Sequence, residues 1–138
     1  MLIRKSGLLL LTMLGVGLLV TGCAPTFDRT ATRTVAITGA TKSDEILEAA
    51  IETAQNIGFP AMSKLDKANG IVEFGGFSGS VMGITAQVRV LPNNQAEVTV
   101  KRFTAYIPLG VDEQADLFRT KFEEQLKLIQ QNTQSAVK

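Results

Sequence analysis

ITAQVRVLPNNQAEVTVK, residues 84–101, reads as two strands and the turn that joins them. Ile84, Ala86, Val88 and Val90 alternate with Thr85, Gln87 and Arg89. After Pro92, Asn93 and Asn94 the alternation resumes, with Ala96, Val98 and Val100 against Glu97, Thr99 and Lys101. A period of two with one apolar side places one face of a hairpin on a core and the other in water. Arg102 breaks the phase ahead of Phe103 and suggests a bulge.

Outward from this hairpin the pattern changes period. Towards the N-terminus, residues 71–77 and 61–65 form a plausible hairpin around Asn69 and Gly70. Before them, Ile46, Leu47, Ala50, Ile51, Ala54 and Ile57 recur at helical spacing. Thr41 or Ser43 is the expected cap, Asp44 and Glu45 lie at the positive end of the helix dipole, and Gly58 is placed to close it ahead of Phe59 and Pro60. Residues 34–38 alternate as a first strand. Towards the C-terminus, Ala115, Phe118, Phe122, Leu126 and Ile129 make the stripe of a helix starting near Asp112, widened by Leu117 and Leu128. Residues 130–138 read as a polar, frayed tail. The expected class is α+β, in the order β-α-β-β-β-β-α, with two helices on one face of an antiparallel sheet. This order resembles the helix-grip arrangement of small periplasmic lipoprotein domains. That resemblance implies adaptor or assembly roles, or groove binding, and transfers no functional residue.

The N-terminal residues carry a different signal. Arg4 and Lys5 precede an apolar run over residues 8–20, the right length for a secretory signal and short for a membrane span. Val20, Thr21, Gly22 and Cys23 follow, and the tetrapeptide resembles the lipobox of bacterial lipoproteins. The resemblance implies cleavage between Gly22 and Cys23, with lipid on the Cys23 thiol. Because Ala24 rather than Asp comes next, it also implies the outer membrane, facing the periplasm. Residues 1–22 are thus expected to be a signal peptide and 23–33 a lipidated, flexible tether. Residues 34–134 would form one domain, and 135–138 a tail.

Removing residues 1–22 leaves 116 residues, enough for one core without disulfide or metal. It also takes away Arg4 and Lys5, leaving 12 basic against 13 acidic side chains, a net charge of −1. Nothing in that balance favours nucleic acid. Cys23 is the sole cysteine, so no internal disulfide forms, and there is no histidine. The usual general base, the commonest metal ligand and the standard triads are absent with it. No catalytic residue, metal or cofactor is expected.

Ser63, Ser78 and Ser80 lack a histidine to activate them. The pairs Asp44/Glu45 and Asp112/Glu113 sit at helix starts, and Glu123/Glu124 falls between stripe positions. The glycine-rich stretch 75–83 lacks the Gly-Lys-Ser/Thr ending of a phosphate loop, and a strand follows it instead of a helix. Its place is more informative. If 71–77, 84–91 and 96–105 are consecutive antiparallel strands, loops 75–83 and 104–111 leave the same end of the sheet. Together they carry Phe77, Met82, Tyr106, Ile107 and Leu109, an apolar group suited either to a protein partner or to covering the core beneath the helix ends. The leading expectation is a non-enzymatic accessory or assembly lipoprotein of the cell envelope that binds another envelope protein. The alternative is a module holding a small apolar ligand or lipid between helices and sheet, beside Phe118 and Phe122. A carboxylate-dependent hydrolase comes third.

Overall fold

A computed structural model describes residues 27–39, 41–79, 83–104 and 110–137. β1 spans Phe27–Ala36, α1 Ser43–Asn56, β2 Met62–Asp66, β3 Ile71–Phe74, β4 Gly83–Leu91, β5 Gln95–Thr104 and α2 Val111–Ala136. The five strands form one antiparallel sheet in the order β1-β5-β4-β3-β2. This is the expected α+β class and element order. Inward side chains alternate along the sheet, with Ala31 and Val35, Val98 and Val100, Ala86 and Val88, and Val72 and Phe74 all buried. α1 covers β3 and β4, α2 covers β1 and β5, and the helices touch each other. Between helices and sheet, the Phe118 ring lies edge-on to Phe59 at 5.3 Å between centroids and 6.2 Å from both Phe74 and Phe122.

Local chemistry accounts for the element ends. The α1 N-cap is Lys42, not Thr41 or Ser43. Glu45 reaches back so that its Oε2 accepts the Lys42 N–H at 3.2 Å, which satisfies the cap through a carboxylate. At the other end Gly58 takes the left-handed conformation expected of it, φ +77°, and the Phe59 N–H bonds the Ala54 carbonyl at 2.9 Å. Between β2 and β3, Asp66 accepts from the Asn69 backbone N–H at 3.1 Å and from its Nδ2 at 2.7 Å, and these bonds hold the Asp66 carboxyl below its usual range.

Four boundaries differ from expectation. β1 starts at Phe27, so residues 27–33 belong to the sheet instead of a tether. Ahead of Val35 its inward positions include Ala31 and Arg33, and small or charged residues mask a strand pattern. Arg33 holds its inward place by bonding α2 across the edge, with Nε 2.7 Å from Asp116 Oδ1 and Nη2 3.3 Å from Asp112 Oδ1. The guanidinium holds the Asp116 carboxyl below its ordinary value. Second, α2 runs on to Ala136 through the expected tail. Gln130 exchanges hydrogen bonds with the Thr38 hydroxyl and carbonyl, and the Thr133 and Ser135 hydroxyls bond carbonyls four residues back. Third, β4 and β5 pair without interruption past Arg102, and the bulge lies in β2 between Met62 and Lys64. Arg102 keeps the inward phase of Val100 because it stands at the sheet end, where a long stem can cover apolar surface with its charge outside. Fourth, β3 stops at Phe74.

Candidate functional site

The last of these differences reshapes the site. Gly75 and Gly76 follow β3 with φ of +70° and +74°, a left-handed pair that a side chain would strain. A methyl group on Gly75 would also lie 3.0 Å from Pro60 Cβ and 3.1 Å from the Ile84 carbonyl oxygen. The chain therefore turns back instead of extending to Phe77. Phe77 is buried on the helix-free face of the sheet, with the Lys101 Nζ 4.1 Å from its ring centroid and 3.4 Å from its carbonyl oxygen. Lys101 alternates with inward Val100, which fixes the side of the sheet. Phe77 is thus not an offered interface residue. It covers a sheet face, and that face is not the one beneath the helix ends.

Next to it lies a cluster that the sequence did not single out. Glu73 is only 4% exposed. Both its carboxyl oxygens lie 2.9 Å from the Ser78 hydroxyl, which donates to them, and Gln87 Nε2 donates to Oε1 at 3.0 Å. Gln87 is in register with Thr99, and Thr99 with Thr32, whose hydroxyl lies 3.3 Å from that of Thr99. A polar row therefore crosses four strands, closed at the β3 side by the segment 75–79. The only sequence signal for it is glutamate at a strand position flanked by Val72 and Phe74. The pair of hydroxyl and carboxyl clasps the turn to the sheet. Glu73→Ala should leave the Ser78 hydroxyl and the Gln87 amide without an acceptor and lower stability by about 1–3 kcal/mol. The same variant should expose residues 75–79 to limited proteolysis. A urea midpoint equal to wild type would remove the clasp.

The strand pairing puts the strand ends that flank the two connections at one end of the sheet. Phe74 pairs with Ala86 and Gly83 with Phe103, so residues 75–82 and 105–109 leave one sheet end, where Gly110 starts α2. β1 begins there too, Phe27 opposite Thr104. Met82, Tyr106, Ile107 and Leu109 lie outside the described residues, as do Gly22, Cys23 and Ser80.

Ser63 and one member of each acidic pair have structural partners. The Ser63 hydroxyl accepts the Gly76 N–H at 3.0 Å. Glu45 caps α1, Asp112 pairs with Arg33, and Glu124 pairs with Lys121 at 3.1 Å. Among the described residues no group of three acidic, cysteine or histidine side chains could hold a metal, and no helix is long and apolar enough to cross a membrane. Phe118 and Phe122 have no exposed surface. Neither lines the surface groove of about 290 Å³ that runs past Thr38, Glu45, Ile129 and Gln134, nor the groove beside Thr53 and Leu128 or the one beside Ala36 and Leu126.

No family model matches the chain, nor does any curated protein.

Proposed function

We propose that this chain is a lipid-anchored, non-enzymatic accessory protein of the bacterial envelope. In this reading it is attached through Cys23 to the outer membrane, faces the periplasm and binds another envelope protein. The observation that carries the binding surface is the antiparallel order of β3, β4 and β5, which sends residues 75–82 and 105–109 from a single sheet end. The second of these segments contains Tyr106, Ile107 and Leu109, unusually apolar for a connection. The packed rings around Phe118 weigh against the alternative of an apolar ligand held between helices and sheet.

The test is the double substitution Tyr106→Asp and Leu109→Asp. In intact cells, cross-linking of the tagged wild-type protein should yield a discrete adduct with an envelope protein. The variant should lose that adduct while its circular dichroism and urea midpoint stay at wild-type values. An adduct of unchanged yield would rule out this end as the binding surface.

A further inference from the structure

Three residues, Ala24, Pro25 and Thr26, separate Cys23 from the first residue of β1. Four chain steps reach at most about 14 Å when fully extended. β4 has nine residues, so at roughly 3.3 Å each the sheet is about 30 Å long. The tether is therefore about half as long as the body it holds, and it joins that body at one end.

The two ends differ in chemistry. At the far end β4 and β5 are joined through Pro92, Asn93 and Asn94, all exposed, with Leu91 opposite Gln95. The polar residues Thr38, Gln130 and Gln134 lie beside the far end of β1. At the near end the chain leaves Thr104 as Ala105, Tyr106, Ile107, Pro108 and Leu109 and returns at Gly110.

From the tether length and this polarity we infer that the Phe27 end of the sheet is held against the lipid surface, with the Pro92–Asn94 turn directed away from it. The inference rests on lipidation of Cys23. It narrows the kind of partner: a protein met by the near end presents its surface at headgroup level, embedded in the membrane or anchored to it.

Because Cys23 is the only cysteine and its thiol is consumed by lipid, an added cysteine can be labelled alone. Thr30→Cys and Asn93→Cys are both exposed positions, one near each end. Each lipidated variant, purified from membranes and reconstituted into phosphatidylcholine vesicles, would carry a donor dye, with acceptor dye on lipid headgroups. Energy transfer from position 30 should exceed that from position 93 several-fold. Inserting about 20 Gly/Ser residues between Thr26 and Phe27, with a reach of about 25 Å, should shrink the difference. Equal transfer from the two positions overturns the orientation, and a difference that survives the insertion overturns the tether as its cause. The mass of the N-terminal peptide separates the two failures. A bare Cys23, or an N-terminus at Met1, removes the lipid reading itself, whereas a diacylated Cys23 with equal transfer removes only the orientation.

Discussion

Phe118→Ala is expected to cost about 3–5 kcal/mol of folding stability, the usual range for deleting a fully buried ring. The ring sits where α2 faces both the sheet and the residues after α1, in contact with Phe59, Phe74 and Phe122. Edge-on aromatic pairs add about 0.5–1.5 kcal/mol beyond area burial, so this position belongs at the upper part of the range. A domain of this size has about 5–15 kcal/mol in total, which puts the variant near unfolding. The thermal midpoint should fall by about 15–30 °C, and the urea midpoint should fall with the slope unchanged. Phe122→Leu, which keeps most of the volume, should cost much less. A loss below about 1 kcal/mol at Phe118 would mean that the space around the ring is not filled, and would restore a ligand pocket as a reading of this protein.

The alternating hairpin 84–101 was legible because its faces are chemically distinct. Val88, Val98 and Val100 are bulky, branched and inward, while Gln87, Glu97 and Thr99 are polar and outward. The helices were legible for the same reason at a different period. β1 was only half legible. Thr30, Thr32 and Thr34 suit a strand by their branching, but Arg33 on the inward face reads as surface until Asp112 and Asp116 of α2 are seen across from it. The distance in sequence hides the pairing. Phe77 misled for a related reason. An aromatic residue after two glycines looks like a strand end or an exposed loop tip, and its burial depends on Lys101 and on a clasp to Glu73 made by Ser78. The convergence of the two connections needed only strand order, and strand order follows from short turns between antiparallel neighbours.

That same geometry would give the proposed anchor its leverage. Were β1 to start at residue 34, ten residues would separate it from Cys23 and the domain could turn freely about its attachment. With β1 starting at Phe27, a lipid on Cys23, as proposed, would hold the Phe27 end of the sheet near the membrane.

Cys23→Ala should abolish incorporation of labelled fatty acid completely, because no second cysteine can accept it. One acyl chain binds a bilayer only reversibly, with a constant on the order of 10⁴ M⁻¹, whereas two or three chains anchor it stably. On the proposed reading the substitution also removes the residue before which the precursor would be cut, so the variant should keep residues 1–22 and begin at Met1. That apolar segment could hold the variant on the membrane by itself, so location alone does not read out the lipid. The decisive partner is a second variant that keeps the Cys23→Ala substitution and carries an ordinary secretory signal in place of residues 1–22. It should be exported, cut and recovered in the soluble periplasmic fraction, with the domain folded as in wild type. Fatty acid still attached to Cys23→Ala, or wild-type protein whose Cys23 bears no lipid, would contradict the anchor and with it the proposed place of work.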